Sequence, residues 1–385
     1  MICSEATCTS CGACISSCPK NCITFKTNEY GFDYPYIETE KCINCGLCKK
    51  ACHALNAVPC LNPLKAYAVW SNDDEDRRTS SSGGAASVFY RCVLKKQGLC
   101  FGAAYDDDLK VVIKGFNDER IECFKQSKYV HSYMGDSFQL IKNELRKNTQ
   151  IIFIGLPCQV AALRSCFGQE YDNLILVDII CHGTPPYSHF LQHIEMIENK
   201  CGSKVTSTNF RNENEFVFSA CSERKTIYQK KKDIDTYLLP FFESLNYYDA
   251  CYNCRYARNK RCSDITIGDF WGLGIEEPFN HPYTGAISLV LTNTEKGQLF
   301  FDKAKKDLFW EERTVTEALK GNAQLNHPSV RNKKRERFLE CYQDYGFEQA
   351  VLEVYGTQIR RNRKKIFIND IYTKARRVAK KVLGK

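Results

Sequence analysis

No apolar run in this chain approaches the roughly 20 residues that a membrane-spanning helix needs. The most apolar stretches, residues 151–154 and 174–180, are of strand length. An integral membrane helix is therefore not expected. The first residues also lack the basic, apolar and small-residue segments of a secretory signal, which points to a reducing cytoplasm. Basic charge is scarce in the body as well. The net charge is +9, but residues 360–385 carry eleven Lys and Arg against one Asp, so the preceding residues sum to about −1. A body without a basic stripe or reading motif argues against a nucleic-acid partner.

What is abundant is cysteine, 23 residues in 385. Cys8, Cys11, Cys14 and Cys18, followed by Pro19, repeat their spacing in Cys42, Cys45, Cys48 and Cys52. CxxCxxCxxxC twice is the run that holds a pair of 4Fe-4S clusters in bacterial ferredoxins, where the fourth cysteine of each run ligates the other run's cluster. The expected sets are Cys8, Cys11, Cys14 with Cys52, and Cys42, Cys45, Cys48 with Cys18. Gly12 and Gly46 follow a CxxC and remove a Cβ that would crowd the cube. Zinc ribbons use two CxxC pairs and give no reason for further cysteines at fixed offsets. One departure is His53, which stands after Cys52 where the first run has a proline.

From Ala66 the texture alternates strand and helix. Strands are expected at residues 66–70, 99–105, 110–116, 151–154, 174–180 and 264–270, with helices at 85–96 and 136–147 and an acidic loop at 73–76. The fold class that follows is α/β and α+β multidomain: a small ferredoxin-like domain, then an α/β region with a partly parallel sheet, then a basic helical tail. Expected boundaries are 1–60, 66–150, 151–310 and 311–385. Two strands end in cysteine, at Cys158 and Cys181, and ligands collect beyond the carboxyl ends of strands in such sheets. Cys251 and Cys254 form a further CxxC. These four could close a third 4Fe-4S site, with Cys262 as a rival ligand. The alternative is that strand-end cysteines are small buried hydrophobes, as expected for Cys92, Cys100, Cys123, Cys166, Cys201, Cys221 and Cys341.

SSGG at 81–84, KYVHSYMGD at 128–136, GLPCQ at 155–159, CHG at 181–183, CYNC at 251–254 and SDITIGDFWG at 263–272 together resemble the beta subunit family of coenzyme F420 hydrogenases and dehydrogenases. The resemblance covers about residues 1–310, in the version with an N-terminal two-cluster domain. It implies a flavoprotein that binds FAD and a cluster near it, and supports Cys158, Cys181, Cys251 and Cys254 as ligands. It also implies a redox partner protein or soluble donor, and a hydride carrier or sugar-linked substrate. A non-catalytic electron-transfer subunit is the alternative. The texture is closest to bacterial members associated with surface polysaccharide synthesis. Ser81, Ser82, Gly83 and Gly84 before a helix are candidates to hold the flavin diphosphate, against the plainer reading of a serine-capped loop. Lys128 and Ser132 are candidates to meet phosphate or ring, and His182 to relay a proton. In the tail, Ile371, Ala375, Val378, Ala379 and Val382 form one apolar stripe beside Lys374, Arg376, Arg377, Lys380 and Lys381. That pattern suits a peripheral contact with an anionic inner membrane face or, more plainly, a solvated helix.

Overall fold

A computed structural model describes residues 2–212 and 215–382, and in residue 370 and residues 373–382 the backbone only. Contacts divide the chain into two units, residues 1–187 with 247–330, and residues 188–246 with 331–385.

The first unit opens with the two cysteine runs. Each passes through a glycine in the left-handed region, Gly12 at φ 76° and Gly46 at φ 74°, and then into a single helical turn, Ala13–Ser16 or Leu47–Lys50. A Cβ at Gly46 would meet no atom of the chain within 4 Å. Backbone conformation is therefore a sufficient reason for glycine there. Between the runs lies an antiparallel hairpin, β1 (Ile23–Thr27) and β2 (Asp33–Ile37).

The main sheet begins with β3 (Lys65–Ser71), β4 (Leu99–Tyr105), β5 (Val111–Phe116), β6 (Ile151–Gly155) and β7 (Leu174–Ile179). The second unit contributes a separate small sheet of β8 (Ser207–Asn209), β9 (Val217–Ser222) and β10 (Lys225–Lys231). The chain then returns to the main sheet with β11 (Ile265–Asp269), β12 (Ser288–Thr292) and β13 (Leu308–Arg313). The eight strands run in the order β13-β3-β12-β11-β7-β6-β4-β5. β4, β6, β7 and β11 are mutually parallel, whereas β5, β12 and β13 pair antiparallel.

β6 shows why the sheet's centre reads as unbroken apolar sequence. Ile152 and Ile154 pack on one face with Val88, Phe89 and Val177. Ile151 and Phe153 pack on the other with Ile141, Val160 and Leu176. A strand covered on both faces has no polar side to alternate with. The helices Ala85–Leu94 and Ser137–Arg146 lie where the apolar periodicity places them. The acidic stretch expected as a loop is instead a helix, Asp74–Thr79, because Asp73 caps it by accepting from the Asp76 N–H at 2.8 Å.

In the second unit the small sheet shares an aromatic core of Phe190, Phe210, Phe218 and Tyr237 with the long helix Arg335–Val382. That helix is interrupted at Gly346, whose φ is 75°. It carries the tail. Ile371 is exposed, while the side chains of the rest of the expected stripe and of its basic neighbours lie outside the described residues. Among the described residues no helix is long and apolar enough to cross a membrane.

His193 is buried in this unit, with Asp235 at 3.5 Å and Glu348 on its Nδ1. Burial opposes its charge, but the two carboxylates outweigh it and lift the imidazole to about 9. A raised pKa means that the stabilisation is complete below the ordinary value of 6.5 and is lost as pH rises through about 9. The melting temperature should fall across that interval, and His193→Gln should flatten the fall; a wild-type melting curve indifferent to pH there would contradict the assignment.

Candidate iron-sulfur and flavin site

The fourth cysteine of the second run meets the first three of the first run. Cys8, Cys11, Cys14 and Cys52 line one cavity of about 340 Å³ with Cys3, Thr9, Gly12 and His53. Burial pushes the Cys11 thiol up to about 12. Cys14 is raised by burial and then by repulsion from Cys11 and Cys52. Cys18 packs with Cys22 and Ile23 against the half-buried Cys42 and Cys48, while Cys45 is exposed. Two cysteines outside the repeated spacing also stand here. Cys22 Sγ lies 3.4 Å from Cys18 Sγ, and Cys3 Sγ lies 3.8 Å from Cys52 Sγ. Cys22 stands four residues after Cys18, a local contact, whereas the proximity of Cys3 to Cys52 depends on chain folding.

A second cavity, about 570 Å³ with its open mouth, is lined by Cys158, Cys181, Cys251 and Cys254. Its walls come from three places. Leu156 to Cys158 lie where β6 turns into the helix Pro157–Phe167, Cys181 to Thr184 follow β7, and Tyr248 to Ala257 surround the turn Asp249–Tyr252. Gln159 fixes the first wall. Its side chain accepts from the Leu156 N–H at 2.9 Å and donates to the carbonyl and hydroxyl of Ser132 at 2.9 Å each. Ser132 thus holds the turn that presents Cys158. Gly183, at φ 136°, is needed because a Cβ would press into the Tyr247 ring at 2.3 Å. Cys262 is not part of this lining; its sulfur faces the Pro157 carbonyl at 3.6 Å.

The donor set has the chemistry of a cluster site. Burial raises the thiols of Cys158, Cys181 and Cys254, and in Cys158 and Cys181 the other cysteines add to it. Iron would replace the protons these thiols retain. Arg261, buried and ion-paired with Asp178 at 2.8 Å, lies in the wall and opposes the rise at Cys181 and Cys254. Among the described residues no three Cys, His, Asp or Glu converge as ligands of one metal ion do. In a cubane each thiolate binds its own iron, which spaces the sulfurs more widely. His182 is exposed at this cavity, and desolvation by its surroundings lowers its imidazole against an opposing pull from Asp269.

The two cavities share a wall. Thr9 lines both, and its hydroxyl meets His53 Nε2 at 3.0 Å. His53 Nδ1 meets the hydroxyl of Tyr256, a wall residue of the second cavity, at 2.7 Å. Burial, with help from Arg255, holds His53 down to about 4, so its neutral ring accepts at one nitrogen and donates from the other. The residue that replaces proline after the second run is a link between the cysteine domain and the body. Cys11 is near enough to Cys158 to raise its pKa.

The flavin candidates divide. Ser81 Oγ accepts from the Ser127 N–H at 2.7 Å, joining the SSGG turn to the segment that carries Lys128. Ser82 Oγ is buried without a hydrogen-bond partner. Gly83 has a structural reason, since a Cβ would lie 2.4 Å from the Val69 carbonyl. Gly84 starts the helix Ala85–Leu94 at φ 89°. Lys128 Nζ donates to the Lys125 carbonyl at 2.9 Å, and desolvation lowers it to about 8. The Ser132 hydroxyl accepts from the Gln159 amide at 2.9 Å.

Residues 148–318 match the family described as the C terminus of the coenzyme F420 hydrogenase/dehydrogenase beta subunit. Residues 7–55 match a 4Fe-4S dicluster domain. Comparison with curated proteins gives no match. Among solved structures, a chain of the F420-reducing NiFe hydrogenase complex from Methanosarcina barkeri is 17% identical with a TM-score of 0.48, over 81% of this chain and 94% of that one. Two thiol-lined cavities, one in a dicluster domain and one at the strand ends of the matched region, accord with the two family matches, and the chain is similar to the beta subunit family of coenzyme F420 hydrogenases and dehydrogenases over residues 148–318, with a 4Fe-4S dicluster domain at residues 7–55.

Proposed function

We propose that this protein is an iron-sulfur flavoprotein that passes electrons between three 4Fe-4S clusters and an FAD. The ligand sets are Cys8, Cys11, Cys14 with Cys52; Cys42, Cys45, Cys48 with Cys18; and Cys158, Cys181, Cys251 with Cys254. The observation that carries this reading is the wall shared by the two thiol cavities at Thr9, His53 and Tyr256. Bound clusters supply one-electron transfer, and bound FAD supplies the conversion to hydride exchange. The residues of the chain do the rest. His53 fixes the separation of the two cavities, and Arg261 favours the thiolate forms of Cys181 and Cys254. Thr9, Tyr248 and Tyr256 close the second cavity towards the cysteine domain.

The orphaned Ser82 hydroxyl and the positive end of the helix Ala85–Leu94 support a diphosphate at SSGG, with Lys128 beside it as the cation. His182, exposed at the second cavity, is the candidate proton relay. The two-electron partner is a hydride carrier or a sugar-linked substrate, the latter favoured by the resemblance to polysaccharide-associated members. A redox partner protein or soluble donor feeds the N-terminal clusters, and the reaction is cytoplasmic. Phe367, Ile368, Ile371 and Tyr372 are exposed on a helix rich in Lys and Arg, which supports a peripheral contact with an anionic membrane face. The second reading, an electron-transfer subunit without its own substrate, is favoured by Gly83, whose glycine the strand packing already explains.

Anaerobically purified protein should contain about 12 iron per chain and extractable flavin. Cys158→Ser should bring iron to about eight while the N-terminal clusters keep their signals. Wild-type protein with about eight iron would remove the third site, and loss of flavin with all clusters intact would leave only the subunit reading. Arg261→Met strands Asp178 as a buried unpaired charge and should cost about 3–5 kcal/mol. A melting temperature unchanged from wild type would show that the pair does not hold the wall.

A further inference from the structure

Cys60 and Cys262 face each other where the connector after the cysteine domain meets the segment leading into β11. Leu61 and Arg261 form an isolated antiparallel bridge. Each donates its N–H to the other's carbonyl at 2.8 Å. They are therefore a hydrogen-bonded pair, and the next pair outward, Cys60 with Cys262, occupies a non-hydrogen-bonded position. At such positions opposing Cα atoms approach to about 4.5 Å, within the range that a disulfide spans. Cys262 belongs to the apolar cluster around Tyr256, and Cys60 packs against the same cluster. Neither is used by the ligand sets above.

We propose that Cys60 and Cys262 are a reversible dithiol, closed to a disulfide by a low-molecular-weight disulfide, that fastens the connector to the body. Cys60 is half-buried and Cys262 is 3% exposed, so an external reagent meets Cys60 first. The hydrogen bond from Cys262, aided by Arg258 and Arg261, lowers Cys60 to about 7, which supports the same order. The Cys60 thiolate attacks one sulfur of the reagent, forming a mixed disulfide and releasing one thiolate. That thiolate takes the proton of Cys262. The Cys262 sulfur then attacks Cys60, the mixed disulfide breaks, and the second thiolate leaves and is protonated. The protein loses two electrons and two protons, and one small disulfide becomes two thiols. The new bond joins positions 60 and 262 beside the wall that Arg261 lines, so it pins the cysteine domain to the body covalently.

The site does not rest on the third cluster or the flavin, and its test is separate from theirs. Full-length protein, purified anaerobically with its iron, is equilibrated in buffers of graded oxidised and reduced glutathione. Free thiols are trapped with N-ethylmaleimide, and the digest is read by mass spectrometry. A peptide pair joining Cys60 to Cys262 should rise with oxidised glutathione, vanish on reduction and leave the iron content unchanged. Cys262→Ser should stop Cys60 at the glutathione adduct. Both cysteines trapped as free thiols at the oxidising end would overturn the proposal. So would a wild-type Cys60 that stays as the glutathione adduct, or a cross-link that forms only as iron is lost. If Cys262→Ser does not fold, the wild-type cross-link and its loss in Cys60→Ser decide the question.

Discussion

The hydrogen-bonded chain Thr9–His53–Tyr256 is the contact on which the arrangement of thiols depends. It is short, buried and neutral, and it ties the loop that carries Cys8 and Cys11 to the wall that carries Cys254. The cysteine domain also meets the body through His131 on the Ser10 carbonyl at 3.3 Å and the Asp33 N–H on the Tyr248 hydroxyl at 3.3 Å, but this chain is the tie that lies in the wall the two cavities share. The same wall is stiffened from the other direction by the buried Arg261–Asp178 pair and by Arg261 Nη1 on the Tyr256 carbonyl at 2.7 Å. Polar groups this deeply buried are costly unless satisfied, so the wall has one favoured arrangement.

Desolvation organises the rest of the site. The cysteines of the second cavity are pushed towards their protonated forms by burial, and their proximity adds to that push. A site of this kind is unfavourable as a set of thiolates in isolation and favourable once a cationic centre balances them. Backbone geometry supplies two of the four thiols, Cys158 and Cys181, from just beyond two adjacent parallel strands, because β6 and β7 end side by side, while Cys251 and Cys254 come from the turn Asp249–Tyr252 and the residues after it. The SSGG turn follows β3, whose direction in the sheet matches that of β11. Its contact with Ser127 brings together two segments more than 40 positions apart in the chain.

The role of glycine differs from place to place along this route. Gly12 and Gly46 supply left-handed turns at the heads of single helical turns. Gly183 makes room for Tyr247, and Gly83 lets two strands close on the turn. Gly84 supplies a left-handed N-cap at the start of a ten-residue helix.

The repeated cysteine spacing, the two strand-end cysteines and most strands of the main sheet were legible in the sequence, because each is a local pattern with a local cause. Spacing on a tight turn fixes where thiols point, and an unbroken apolar run marks a strand covered on both faces. The capped helix at Asp74–Thr79 was missed because one side-chain hydrogen bond from Asp73 decides it. β12 and β13 were missed, although residues 289–291 are an apolar run of the kind read elsewhere as a strand, whereas the second unit drawn from two distant stretches and the approach of Cys3 to Cys52 and of Cys60 to Cys262 left no local trace. The sequence by itself determined the repeated cysteine spacing of the 4Fe-4S dicluster domain and the strands after which Cys158 and Cys181 stand. Only the tertiary structure decided that His53 joins the two cavities, that Ser132 serves Gln159, and that Cys60 meets Cys262. Each of these contacts closes over a long loop, and its energy depends on desolvation that no short window of residues encodes.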